Sequence, residues 1–138
     1  MRQGEAVFVD SGAWIALALS RDPFHALARE HWELLHRAGA RLYTSVPVMI
    51  ETFTFLDRNA NRDVALEWKE SVYKLSNTKI LACELGDLEQ SWDYFRRADL
   101  HKLSAVDATS FVIMKRARIR IAYAFDHHFA AAGFRLVA

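Results

Sequence analysis

Four acidic residues stand in surroundings that do not suit a charge. Asp10 closes the apolar run AVFVD, and Asp126 closes IAYAFD. Glu51 is the only charged residue between Val46 and Leu56. Asp107 lies in LSAVDATSFVIM, four residues ahead of Phe111. An ionised carboxylate among apolar side chains is costly unless something pairs with it. Read singly, Glu51 is an acid at a helix edge that reaches water or accepts from N-terminal N–H groups. Asp107 likewise forms a capping pair with Ser104, three residues before it. Read together, four converging carboxylates would repel one another and raise their own pKa values. A divalent ion that prefers hard oxygen ligands, Mg²⁺ or Mn²⁺, removes that repulsion and leaves positions for water and phosphate.

The other ligand types offer less. His127 and His128 follow Asp126, but adjacent side chains usually diverge in a strand or a helix. Paired zinc histidines use wider spacing, such as i and i+4. The two are therefore read as a turn or short helix beside the site, with His128 in a packing or substrate-contact role. His25, His31, His36 and His101 form no ligand array. A single cysteine, Cys83, makes neither an internal disulfide nor a cysteine-based zinc site, which fits a reducing cytoplasm.

Alternating elements must position the acids. AVFVD (6–10) reads as a buried strand, with Ser11 as the N-cap of the helix AWIALAL (13–19). A second helix opens at RDPFH (21–25), carries Ala28, Trp32 and Leu35 on one face, and stops at Gly39. RLYTS (41–45) is a strand, Pro47 suits the first turn of the next helix, and Asn59-Ala60-Asn61 breaks it. Residues 62–76 show helical spacing, and TKILAC (78–83) is a third strand. Leu88, Trp92 and Phe95 mark one further helix, and Ser104 caps the one after it. IAYAF is a fourth strand and FRLVA a short fifth. Such alternation predicts a parallel sheet covered on both faces. Ligands bind such sheets at the carboxyl ends of the strands, where Asp10 and Asp126 stand.

The 138 residues suit one domain spanning 1–138. At 52% apolar the chain is not a disordered one. A formal charge of +1 neither demands nor excludes a nucleic-acid partner. MRQGEAVFVD lacks the shape of a signal peptide, and AWIALAL falls well short of the roughly 20 residues that cross a bilayer. A soluble protein with no membrane partner is expected. Two basic clusters flank the Asp107 helix: Arg96, Arg97 and Lys102 before it, and Lys115, Arg116, Arg118 and Arg120 after it. Cations at helix C-termini explain them; so does contact with an RNA backbone beside the acids, for which Arg116 and Arg118 are the candidates. Most of Trp14, Phe24, Trp32, Trp68 and Trp92 should be core, and any excess left on the surface would mark a partner interface.

VFVDSGAWIAL, VPVMIETFTFL, LSAVDATSFVIMKR and AYAFDHHFAAAGF together resemble the PIN domain, most closely the small VapC-type ribonuclease toxins. The likeness covers nearly the whole chain in the right order. It implies an α/β/α sandwich around a parallel sheet of order 3-2-1-4-5. It implies that Asp10, Glu51, Asp107 and Asp126 form an acidic site for Mg²⁺ or Mn²⁺, with Asp10 and Asp107 the firmest ligands and Ser11 and Ser104 in support. Ala124 departs from the pattern, which often has threonine there. The activity implied is hydrolysis of RNA phosphodiesters; the partners implied are a second copy of the chain and an antitoxin. The contrasting reading is a catalytically silent module of the same fold used for binding or assembly. A receiver-like phosphoacceptor would want an acidic pair near the first strand, where Asp10 stands alone. A dinucleotide enzyme would want a glycine-rich loop, which DSGAW is not.

Overall fold

The computed structural model describes residues 1–137. Its five-stranded sheet has the order β3-β2-β1-β4-β5, parallel at every pairing, with helices on both faces. The strands are β1 (Ala6–Val9), β2 (Arg41–Ser45), β3 (Thr78–Leu81), β4 (Ile121–Tyr123) and β5 (Arg135–Leu136). The helices are α1 (Ser11–Ala18), α2 (His25–Arg37), α3 (Val46–Asn59), α4 (Arg62–Lys74), α5 (Leu85–Ser91), α6 (Ala105–Arg116) and the single turn α7 (His128–Ala131). The expected topology is therefore the observed one.

Local chemistry accounts for the boundaries. β1 is central, so Val7, Phe8 and Val9 are buried without alternation, as a strand covered on both faces requires. Ser45 ends β2 and caps α3, its Oγ accepting from the Val48 N–H at 3.3 Å, and Pro47 occupies the first turn. Asn61 caps α4 in the same way, accepting from the Val64 N–H at 2.9 Å. Gly39 adopts φ +59° just past α2, where a side chain would be strained and a Cβ would meet the Gln3 amide. The core runs through the sheet into both helical layers, with Phe8, Leu35, Leu56, Phe111, Ile113 and Phe129 enclosed.

One element differs from its sequence pattern. Leu88, Trp92 and Phe95 do not share one helix. α5 stops at Ser91, whose hydroxyl donates to the Leu88 carbonyl at 2.6 Å, and residues Trp92–Arg96 form a 3₁₀ turn. Trp92 and Phe95 pair with each other at 6.3 Å and stay 46% and 47% exposed. With no core facing them, nothing enforces the longer helical register.

Candidate active site

The site grows from the central pair of strands. The Asp10 N–H donates to the Tyr123 carbonyl at 3.0 Å, carrying the β1–β4 ladder one residue past β1. Asp10 is also the N-cap of α1, its Oδ2 accepting from the Gly12 N–H at 3.4 Å. Its other oxygen, Oδ1, is buried with no hydrogen-bond partner. Ser11, the first residue of α1, donates from Oγ to Glu51 Oε1 at 2.6 Å and so ties α1 to α3. Ser104 caps α6 by accepting from the Asp107 N–H at 3.0 Å, which fixes Asp107 in the first turn. Asp126 follows β4 and makes an Asx turn, its Oδ1 accepting from the His128 N–H at 2.9 Å.

The four carboxylates act on one another electrostatically. Burial, then the Asp107 charge, then that of Glu51 hold Asp10 well above the ordinary carboxylate range, against the pull of the Ser11 and Gly12 N–H groups. Burial, then Asp126 and Glu51, push Asp107 up to about 7, against His128 and Ser104. No lysine or arginine pairs with any of the four among the described residues. An all-oxygen donor set, raised acids and an orphaned buried oxygen are what a hard divalent cation would neutralise, so these residues fit Mg²⁺ or Mn²⁺.

His128 is the residue that spacing did not reveal. Its side chain is buried, with Nε2 donating to the His101 carbonyl at 2.7 Å. A carbonyl only accepts, so Nε2 must carry a proton. Nδ1 then lies 2.8 Å from Asp126 Oδ1 and 4.0 Å from Asp107 Oδ2. The 2.8 Å approach is out of line for a directed hydrogen bond, so it counts as a charge contact. Burial pulls the His128 pKa down, but the His101 carbonyl and then Asp126 and Asp107 outweigh it and leave it raised. The His128 ring thus sits between two of the acids. The His127 and His128 rings do not diverge as expected. Their centroids are 4.4 Å apart, because the α7 turn folds both back toward Asp126. Asp126, His127 and His128 each offer a ligand atom within 4.8 Å of the others.

Arg116 and Arg118 lie away from the acids. Arg116 is nine residues past Asp107 along α6, about 14 Å at 1.5 Å per residue. Its guanidinium forks onto the buried Asp87 carboxylate at 2.9 and 2.8 Å and also donates to the Ala82 carbonyl. Arg118 lies past the α6 C-terminus at φ +59° and lines a cavity with Lys115, Arg120 and Arg135 at the opposite end of the sheet. Arg97 is held by Asp99 and the Ala131 carbonyl. Lys102 instead joins a groove of 670 Å³ that also takes in Asp126, His128, Phe24, Phe55 and Phe125.

A family model described as the PIN domain matches residues 7–135. The 23S rRNA-specific endonuclease VapC20 of Mycobacterium tuberculosis (strain H37Rv) is 36% identical over 129 residues, covering 93% of this chain and 95% of its own. The crystal structure of VapC20, described as a sarcin–ricin loop cleaving toxin, superposes with a TM-score of 0.81 at 32% identity over 93% of this chain and 95% of its own. VapBC2 of Rickettsia felis, bound to a DNA fragment of its promoter, shares the fold with a TM-score of 0.67 at 10% identity over 95% of this chain and 96% of that one.

Proposed function

The chain belongs to the PIN-domain family, and from that premise we propose that it is the ribonuclease toxin of a toxin–antitoxin pair, hydrolysing a phosphodiester bond of RNA. The observation that carries this reading is the electrostatic unit of Asp10, Glu51, Asp107 and Asp126, drawn from four distant segments to one end of the sheet with no lysine or arginine against it. Asp10, Glu51, Asp107 and Asp126 would hold Mg²⁺ or Mn²⁺, which supplies Lewis-acid polarisation of a phosphoryl oxygen and a water of lowered pKa. The chain's own contribution is positioning. Ser11 aims Glu51, Ser104 fixes the turn that presents Asp107, and Asp10 is set by the strand ladder on one side and by α1 on the other. The buried His128 places its Nδ1 between Asp107 and Asp126.

Curated relatives at 36% identity are 23S rRNA-specific endonucleases, which favours a ribosomal RNA loop as the substrate. An antitoxin partner is supported by the likeness to the toxin VapC20 and by the fold shared with VapBC2. A homodimer is part of this reading, and the exposed apolar side chains of Val46, Ile50 and Leu85 are open to it. No helix among the described residues is long and apolar enough to cross a membrane, in keeping with action on RNA in the cytoplasm.

Ribosomes incubated with the purified chain and Mn²⁺ test the proposal. Scission of 23S rRNA at one position, abolished by EDTA, is the expected result. Intact rRNA under both conditions would favour the silent binding module instead.

A further inference from the structure

The Phe24 ring lies 4.8 Å from the Phe125 ring with the two planes only 3° apart, and His31 backs Phe125 at 6.1 Å and 19°. This three-ring stack starts in the α2 layer and ends at the groove. Phe24, its outermost member, stays 47% exposed. Phe125 immediately precedes Asp126, so the stack adjoins the acidic centre through the chain itself. The same groove takes in the Lys102 ammonium, together with His101, His127 and the Asp22 carboxylate.

The stack is set before any ligand arrives. The Phe24 N–H donates to Asp22 Oδ1 at 2.8 Å, the Asp22 N–H donates to the Leu19 carbonyl at 3.0 Å, and the His25 ring contacts the Ala16 carbonyl at 2.7 Å. A large aromatic ring held by a braced turn, and left half in water, is a poor use of apolar surface for folding alone. A flat face, a lysine and acids at one end suit a nucleotide: the rings take its base, Lys102 its phosphate. A purely apolar peptide would make no use of the lysine.

Resting on the nuclease reading above, we infer that the Phe24–Phe125 stack seats one unpaired base of the RNA substrate, next to the bond that is cut. Single-stranded RNA bases bind aromatic side chains in this manner. The stack would thus select RNA in which a base near the scissile phosphate can leave its helix.

The test uses the full chain in EDTA and an RNA hairpin carrying the sarcin–ricin loop of 23S rRNA, with each loop nucleotide replaced in turn by an abasic one. Affinity is read by fluorescence anisotropy. The parent chain should lose about tenfold at one abasic position. Phe24→Leu should lose a similar factor on the intact hairpin and nothing more at that position. Phe24→Trp, which keeps a flat face, should match the parent on both RNAs. Equal abasic penalties in Phe24→Leu and the parent at every position would overturn the inference, as would failure of the parent to bind the hairpin. So would an unchanged RNA affinity in Phe24→Leu with a weakened hold on a co-expressed antitoxin, which would give the groove to a protein. Cleavage with Mn²⁺ is scored separately. A parent that shows the base coupling and cuts nothing removes the nuclease reading alone; one that cuts without the coupling removes this inference alone.

Discussion

The Ser11 hydroxyl donates to Glu51 across 2.6 Å, from the first residue of α1 to the middle of α3. This bond spans forty positions of chain and turns an acid on an otherwise uncharged stretch toward Asp10.

Ser11→Ala should therefore weaken the site without unfolding the chain. Removing such an outer-shell partner typically costs about 10–100-fold in metal affinity or activity. The check is a Mn²⁺ titration of RNA cleavage, expected to need more metal for half-maximal rate while the thermal midpoint stays near the parent's. An unchanged titration would deny Ser11 its supporting role.

The raised acids predict a pH dependence of stability. Burial and its neighbours lift Asp107 from 3.8 to about 7, and Asp10 is raised as well. The folded, metal-free chain keeps protons that the unfolded chain releases, so the stability they confer is complete below 3.8 and is lost as pH rises through about 7. The raised His128 acts in the same direction through its own range. Metal-free protein should be less stable at about pH 8 than at about pH 5, by an amount on the order of a few kcal/mol, and so melt at lower temperature. Mg²⁺ should restore more at the higher pH, where it replaces no protons. Calorimetry with and without EDTA measures both; a metal-free midpoint that rises with pH would contradict the mutual repulsion.

His128→Gln keeps a donor for the His101 carbonyl and removes the titratable ring nitrogen that faces Asp126 and Asp107. The variant should lose roughly 1–3 kcal/mol of stability in EDTA, the cost of leaving buried polar groups unmatched. It should lose less once Mg²⁺ is bound, because the ion supplies positive charge to the same acids. Equal losses in both conditions would make His128 a packing residue only.

Arg116→Ala should behave as a folding variant. Its guanidinium is the charged partner of the buried Asp87, and truncation leaves that carboxylate unpaired at a cost of roughly 1–3 kcal/mol. Chemical denaturation should show the loss, and the KM for RNA should hold. A raised KM with unchanged stability would return Arg116 to the substrate.

How much of this was legible in the sequence follows from what sets each feature. Alternation of buried apolar runs with helical spacing carries the parallel sheet and the placement of Asp10 and Asp126 at strand ends; the strand order came with the family likeness alone. Ser45, Asn61 and Ser104 cap helices within a few residues, so local pattern found them or their helices; Ser11 is not the expected N-cap, because Asp10 caps α1 and the Ser11 hydroxyl reaches Glu51 forty positions away. His128 was undervalued because its role depends on the His101 carbonyl, 27 positions away. For the same reason a cluster of cations in the sequence does not show that Arg116 pairs with Asp87, 29 positions back. The Phe24–Phe125 stack joins a turn before α2 to the end of β4, a contact with no periodic signature.

The central claim is that Asp10 and its three partners hold the cation that drives RNA cleavage. The direct measurement is the single-turnover rate of Asp10→Asn against the parent on 23S rRNA with saturating Mn²⁺. The variant should be slower by about 10²–10³-fold, corresponding to a loss of roughly 3–4 kcal/mol of transition-state stabilisation, with its fold intact. Cleavage by Asp10→Asn at the parent's rate would contradict the account.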